Sequence, residues 1–304
     1  MKTDSLNLTR PMSAGQARLY IVLAALFWSL SGALTKILTK PTIFNFGSPE
    51  VHGLAIAFYR VFFAGLVIVP ALQRREVTFR PLMTLMAGSF ACMNLLFIMA
   101  LAWGTAANTI WLQYTAPLWL YLAGIWWLGE QPDRRSTIAL VTALAGVGVI
   151  VLGGKGLDQL GVLAIALGSG ITFAAVLLCF RVLRAHSPRW LTLLNHAGGS
   201  LVLLPICWWW LPRQPTWPQM AVLVVFGIVQ TALPYFLAAR ALSSISAREA
   251  GMISLLEPLL NPLWAYLVSP DSEAPSVFTL TGACLILVAL VYRYYPGRDR
   301  PSGV

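Results

Sequence analysis

Two charged side chains, Arg60 and Glu257, lie near the middle of long apolar segments in this 304-residue chain. Arg60 lies within segment 51–72, and Glu257 lies within segment 250–268. A charge at the centre of a bilayer costs at least ~2.5 kcal/mol, so it normally faces a partner, a water-filled cavity or a transported molecule. The two residues therefore predict a polar pathway through a membrane protein.

Three kinds of chemistry are open to these two groups. An arginine and a glutamate at the same depth can neutralise each other, because removing either partner of a buried pair leaves an uncompensated charge. Alternatively, the planar guanidinium group of Arg60 suits a bidentate contact with a substrate carboxylate. A carboxyl group at the depth of Glu257 can also carry a coupling proton. The sequence leaves these three interpretations open.

Further candidate substrate-binding residues are polar and aromatic side chains at membrane depth. His196 is either a proton relay or a hydrogen-bonded structural histidine, and Gln113 contacts either a substrate or a neighbouring helix. An apolar cavity with few polar groups suits an amphipathic molecule, such as an amino acid with a large side chain. The aromatic candidates for the walls of such a cavity are Trp28, Tyr59, Trp111, Tyr114, Phe173 and Tyr235.

The composition indicates a polytopic membrane protein. The chain is 58% hydrophobic and only 11% charged, whereas soluble domains carry roughly 25% charged residues. Apolar stretches of the ~20 residues that a membrane helix needs recur between short polar breaks, and they predict an all-α fold with ten transmembrane helices. The predicted spans are 19–39, 51–72, 82–102, 106–128, 136–153, 160–180, 190–211, 219–239, 249–269 and 276–295.

The basic residues follow the loops, so the net charge of +10 does not indicate nucleic-acid binding. Cytoplasmic loops of membrane proteins are enriched in Lys and Arg. With the N-terminus inside, sixteen basic residues fall on the cytoplasmic side, and four fall outside: Lys36, Lys40, Lys155 and Arg213. This asymmetry predicts a multi-pass protein with both termini in the cytoplasm.

The two halves of the chain repeat one another. A shift of 141 residues brings Pro117 onto Pro258, and it brings an Ala-Leu pair upstream of the first proline onto an Ala-Leu pair upstream of the second. Each half holds five spans, and an odd number of spans inverts the second half relative to the first. We therefore predict a first five-helix repeat at 1–153 and a second, inverted five-helix repeat at 154–304.

Pro117 and Pro258 each lie inside a predicted span. A proline removes one backbone hydrogen bond and bends or breaks a helix. Interrupted helices at matching positions of two repeats mark the central binding site in transporters built from inverted repeats. We therefore predict that both prolines mark helix breaks with a gating role, and that they flank one central cavity that opens alternately to either side.

Four short motifs follow one another along the chain. They are Ala57-Phe58-Tyr59-Arg60, Ala116-Pro117, Gly129-Glu130 and Leu256-Glu257-Pro258. In this order, over the whole chain, they resemble the EamA type of the drug/metabolite transporter superfamily. The second half departs from that pattern, because segment 269–273 replaces the Gly-Glu pair that would close the ninth span. No role is assigned to this segment from the resemblance.

The resemblance implies a secondary transporter that exports small amphipathic metabolites, such as amino acids with large or aromatic side chains, by alternating access. The alternatives are a drug or nucleobase efflux carrier of the same fold and a non-transporting membrane scaffold or sensor. The expected partners are a small-molecule substrate, the lipid bilayer and a coupling proton. No cluster of residues has metal-ligand spacing, and no Gly-x-x-x-x-Gly-Lys-Ser/Thr motif is present. We therefore expect no metal, no cofactor and no enzymatic activity.

Overall fold

The computed structural model describes residues 12–42, 44–154, 156–242 and 244–295. The structure is all-α, without strands over these residues. Lys155, predicted to lie in an outer loop, falls outside them. The helices are α1 (Ala14–Trp28), α2 (Ser31–Thr39), α3 (Gly53–Ile68), α4 (Pro81–Trp103), α5 (Ala106–Gln113), α6 (Ala116–Leu128), α7 (Arg134–Leu152), α8 (Leu157–Val182), α9 (Pro188–Leu193), α10 (Gly199–Trp210), α11 (Trp217–Val225), α12 (Leu233–Ala241), α13 (Ala247–Ser254), α14 (Leu256–Val268), α15 (Pro270–Glu273) and α16 (Val277–Tyr294).

Nine helical stretches in the described part of the chain are long and apolar enough to cross a membrane. They correspond to nine of the ten predicted spans. The fourth predicted span, 106–128, is not among the nine, and it folds as the two shorter helices α5 and α6. The protein is therefore a multi-pass, all-α membrane protein, although helix length and composition do not confirm the count of ten spans.

Polar residues at the ends of apolar segments define several helix boundaries. Ser13 begins α1 with a reciprocal capping box, in which its hydroxyl accepts from the N–H of Gln16. The carboxylate of Asp133 accepts from the N–H of Ser136 at the start of α7, at 2.8 Å. These contacts satisfy N–H groups that have no partner inside the helix. Gly129 ends α6 in the left-handed conformation (φ 66°), which glycine adopts without steric cost.

Two spans are interrupted at matching positions, just before the paired prolines. Tyr114 and Thr115 separate α5 from α6, and Pro117 is the second residue of α6. Leu255 separates α13 from α14, and Pro258 is the third residue of α14. A proline is tolerated in the first turn of a helix because the N–H that it lacks would have no partner there. The prolines therefore follow the helix breaks rather than bend a continuous helix.

The two halves of the chain are interleaved. Three extensive helix contacts join a helix of the first half to one of the second: α4 with α8, α7 with α16 and α1 with α12. The main apolar core contains residues from both halves, among them Phe90 and Phe97 on α4 and Phe226 from the second half. Polar groups from both halves can therefore meet at the centre of the helix bundle.

Two π-helical segments, Leu194–Gly198 and Phe226–Ala232, interrupt spans of the second half and contact α3. A π-helical turn often occurs at a functional site. Gly227 in the second segment comes so close to α3 that an added Cβ would lie 2.8 Å from the carbonyl oxygen of Arg60. Glycine at this position therefore permits backbone-to-backbone packing beside Arg60.

Replacement of Gly227 by alanine is expected to destabilise the protein by about 2 kcal/mol, because the new methyl group would meet the fixed backbone of α3. Thermal unfolding of the purified protein in detergent measures this effect. Gly88→Ala on α4 is the matched control, since an added Cβ at Gly88 meets nothing within 4 Å. The control should unfold at or slightly above the wild-type temperature. Equal unfolding temperatures for the two variants would contradict the close packing at Gly227.

Candidate functional site

Arg60 on α3 is a buried cation without a polar partner. Its side chain is 9% exposed, and its Nε and Nη1 atoms have no hydrogen-bond partner. The guanidinium carbon lies 5.3 Å from the ring centre of Phe226 and 5.9 Å from that of Phe97. Aromatic rings stabilise a cation without occupying its N–H donors. Arg60 is therefore held between aromatic rings with two buried nitrogen atoms unpaired.

Glu257 forms no direct ion pair with Arg60 in this structure. No ion pair within 4.0 Å joins the two side chains in the described part of the chain. The carboxylate of Glu257 instead accepts a hydrogen bond from the hydroxyl of Tyr114, at 2.8 Å. The Tyr114 hydroxyl also lies 3.0 Å from the carbonyl oxygen of Ser254. Since these residues lie at the two helix breaks, the contact joins the interrupted spans of the two halves.

His196 is another buried polar residue without a hydrogen-bond partner in the described part of the chain. The residue lies in the first π-helical segment and is fully buried, and neither ring nitrogen has a hydrogen-bond partner. Its ring packs edge-on against Phe90 and Tyr235, at 5.0 Å each. Tyr235 in turn packs edge-on against Trp28, at 5.4 Å. The hydrogen bond expected of a structural histidine is not seen, so His196 also offers a free donor and a free acceptor.

The remaining predicted residues lie in different parts of the helix bundle. Trp111 and Gln113 are buried on α5, where the Gln113 amide nitrogen lies 3.5 Å from a methionine sulfur atom on α4. Phe173 on α8 is partly buried against the main core. Tyr59 is directed to the loop between α10 and α11, where its hydroxyl donates to Gln214 at 3.0 Å. Tyr59 thus contacts a loop, whereas the adjacent Arg60 faces the aromatic core.

The sequence analysis missed the aromatic residues around the two unpartnered groups, namely Phe90, Phe97 and Phe226. Phe90 and Phe97 are seven residues apart on α4, which places them on the same helix face. Phe90 contacts His196, and Phe97 contacts Arg60. The seven-residue spacing was the available signal, but in an apolar helix it does not distinguish a site from an ordinary packing face.

A buried ion pair at one end of the bundle was also missed. Lys36 and Glu273 are each 1% exposed, and their charged atoms lie 2.6 Å apart. Lys36 also donates to the carbonyl oxygen of Gly104 at 2.6 Å, and Glu273 accepts from the N–H of Ala106 at 2.7 Å. The pair therefore ties α2 and the start of α5 to α15. Glu273 lies in segment 269–273, to which the sequence assigned no role.

Two cavities occur that are lined by neither Arg60 nor Glu257. One, of about 730 Å³, lies beside Lys36 and is also lined by Thr105, Asn108 and Asp158. The other, of about 450 Å³, lies between α7 and α16. Neither is lined by the paired prolines, so a central cavity between them stays a prediction. Over the described ranges, no three His, Cys, Asp or Glu side chains are grouped to hold a metal ion.

The chain is similar to known proteins over most of its length. The model of the EamA-like transporter family matches residues 16–152 and 159–294. The uncharacterized transporter YwfM of Bacillus subtilis (strain 168) is 28% identical over 303 residues, which cover 93% of this chain and 96% of that protein. An uncharacterized transporter of Archaeoglobus fulgidus is 27% identical over 243 residues, which cover 78% of this chain and 85% of that protein. A solved crystal structure shares the fold with a TM-score of 0.65, at 15% identity over 92% of this chain and 98% of that one.

Proposed function

The chain belongs to the EamA-like transporter family, and from this premise we propose that it exports small amphipathic metabolites that bear a carboxylate. Amino acids with large or aromatic side chains are the proposed substrate class. The observation that carries the proposal is the unpartnered guanidinium group of Arg60 between the rings of Phe97 and Phe226. Transport is proposed to run by alternating access across a bacterial inner membrane.

The chemistry around Arg60 supports a substrate with one anionic and one apolar end. An arginine binds a carboxylate through two parallel hydrogen bonds, from Nη2 together with either Nε or Nη1, and both Nε and Nη1 of Arg60 are without a partner. The surrounding rings offer apolar area to a large side chain. Trp28 and Tyr235 extend this aromatic surface from His196, whose ring nitrogens can bind a further polar group of the substrate. An amino acid carries all of these features in one molecule.

The contact between Tyr114 and Glu257 supports a conformational cycle between the halves. It joins the two interrupted spans, and in transporters with inverted repeats such spans form the binding site around which one half rocks against the other. In this proposal the helix breaks before Pro117 and Pro258 act as the gating points. Glu257 carries the coupling proton, because it is a carboxyl group at membrane depth whose hydrogen-bonding side-chain partner among the described residues is Tyr114. The division into repeats at 1–153 and 154–304 is part of the same proposal.

Uptake into proteoliposomes containing the purified protein tests this function. Labelled phenylalanine is compared with phenethylamine, which lacks the carboxylate but keeps the aromatic ring and the amino group. The proposal expects saturable phenylalanine flux and no phenethylamine flux. Transport of nucleobases without amino acids would favour the alternative efflux carrier. Absence of flux across a panel of amino acids, drugs and nucleobases would favour a scaffold or sensor.

The proposed orientation places both termini in the cytoplasm. The C-terminal ends of the even-numbered predicted spans then also lie on the cytoplasmic side. In a cysteine-free background, a cysteine at Arg213 should react with a membrane-impermeant maleimide in intact cells. Cysteines at Arg135 and Arg189 should not react, because they replace basic residues of cytoplasmic loops. All three should react after permeabilisation, which shows that each thiol is accessible. Labelling at positions 135 and 189 in intact cells would contradict this orientation and indicate the opposite one.

A further inference from the structure

Two ion pairs lie at opposite ends of the helix bundle, and each joins a basic residue to a glutamate that follows the end of an interrupted span. A shift of 145 residues brings Lys36 onto Arg181. The shift of 141 residues that brings Pro117 onto Pro258 places Glu130 on Asp271, two residues before Glu273. Since successive spans run in opposite directions, Lys36 and Glu273 meet at one end, and Arg181 and Glu130 meet at the other. We refer to these as the Lys36 end and the Arg181 end.

The two pairs differ in burial. Lys36 and Glu273 are each 1% exposed, whereas Arg181 and Glu130 are 48% and 38% exposed. The Glu273 carboxylate is docked on the first N–H of α5, where the helix dipole attracts a negative charge. The Glu130 carboxylate pairs with Arg181 and lies against Gly124 of α6, without a hydrogen bond to a helix start in the described part of the chain. The ion pair at the Lys36 end is therefore buried, whereas the pair at the Arg181 end is partly exposed.

The docking surface used by Glu273 has a counterpart for Glu130. A shift of 141 residues brings Ala106, the first residue of α5, onto the first residue of α13. The residues before them, Thr105 and Ser246, cap these helices in the same way, each accepting a hydrogen bond from the N–H three residues later. The start of α13 thus presents the same kind of capped backbone N–H to the Arg181 end, although its first turn also carries Glu249, which is paired with Arg18 at 2.6 Å.

We propose that the two ion pairs are reciprocal gating contacts, each of which closes its own end of the transport pathway when its carboxylate docks on the interrupted span. In this structure the Lys36 end is closed. When the Arg181 end closes, Glu130 docks on the start of α13, and the Lys36–Glu273 pair becomes exposed. The inference rests on the proposed alternating access, in which two inverted halves exchange conformations.

Chemically identical substitutions should therefore act in opposite directions. Glu273→Gln leaves Lys36 buried without its charged partner, which strongly disfavours the conformation seen here. Glu130→Gln removes an exposed pair that contributes little to this conformation, but it weakens the opposite conformation, in which Glu130 would be buried. Glu273→Gln should open the Lys36 end, and Glu130→Gln should keep that end closed.

Distances between pairs of spin labels measure the equilibrium between the conformer with a closed Lys36 end and the conformer with a closed Arg181 end. The labels are placed in full-length protein, otherwise free of cysteine, in lipid nanodiscs. Labels at Trp103 and Ala274 span the Lys36 end, and labels at Gln131 and Leu242 span the Arg181 end; all four side chains are exposed. Glu273→Gln should change the ratio of the two conformers at least tenfold, towards longer 103–274 and shorter 131–242 distances. A tenfold change corresponds to about 1.4 kcal/mol.

Glu130→Gln is the matched control, and it should leave the distances as in the wild type or shift them the opposite way. The double variant Lys36→Met/Glu273→Gln contains no unpaired buried charge and should return the ratio towards the wild type, which a general loss of folding would not do. Unchanged distances in both single variants, or shifts in the same direction, would overturn the proposal. The measurement needs no substrate, so a failed flux assay would refute the proposed function without affecting this result.

Discussion

Replacing Arg60 by alanine is expected to reduce phenylalanine flux roughly a hundredfold, because losing two charge-assisted hydrogen bonds removes about 3 kcal/mol of substrate binding. Initial rates in proteoliposomes, at equal amounts of folded protein, measure the effect. Arg60→Lys should retain only part of the activity, since an ammonium group keeps the charge but lacks the planar fork. Arg213→Ala, in an exposed loop, is the control and should transport at the wild-type rate. Wild-type flux in Arg60→Ala would refute the role of Arg60.

The stability of Arg60→Met separates substrate binding from a structural role. Arg60 is buried with unpartnered donors between the rings of Phe97 and Phe226, so an apolar side chain of similar volume should leave the unfolding temperature unchanged or raise it, whereas Arg60→Ala also leaves a cavity. Loss of transport without loss of stability is the signature of a substrate contact. The double variant Arg60→Ala/Glu257→Gln should likewise fold and remain inactive. Recovery of transport in the double variant would instead show that mutual neutralisation of Arg60 and Glu257 is their main role.

Glu257→Gln is expected to abolish net transport driven by a proton gradient. An amide still accepts the hydrogen bond from Tyr114, but it cannot take up and release a proton, so the coupling step is lost while the local structure is kept. Uptake with and without an imposed pH gradient measures coupling, and exchange of labelled for unlabelled substrate measures the remaining conformational cycle. The variant should retain exchange and lose the response to the gradient.

Tyr114→Phe is the matched control for the Glu257 prediction. It removes the hydroxyl that contacts Glu257 but leaves the carboxyl group, so the response to the gradient should persist. The rate should fall about fivefold, as expected for the loss of ~1 kcal/mol from one hydrogen bond. A wild-type response to the gradient in Glu257→Gln would show that another group carries the proton.

The sequence by itself determined the features that depend on residues close to one another along the chain. Segment length and apolar composition predicted the membrane spans, since a helix must satisfy its own backbone groups inside a bilayer. The motifs around Arg60, Pro117 and Glu257 identified the family, and the described helices do break just before Pro117 and Pro258. Helix length did not confirm the fourth span, because the break divides it into two short helices.

Only the tertiary structure decided which side chains meet. Arg60 and Glu257 share a predicted depth but face different partners, because a contact also depends on how each helix is rotated and crossed by its neighbours. The hydrogen bond from Tyr114 to Glu257 joins residues 143 positions apart, and the contact between Ala106 and Glu273 spans 167 positions. Local periodicity carries no information about such distant pairs. The conformation of the whole bundle likewise buries the Lys36–Glu273 pair and leaves the Arg181–Glu130 pair exposed.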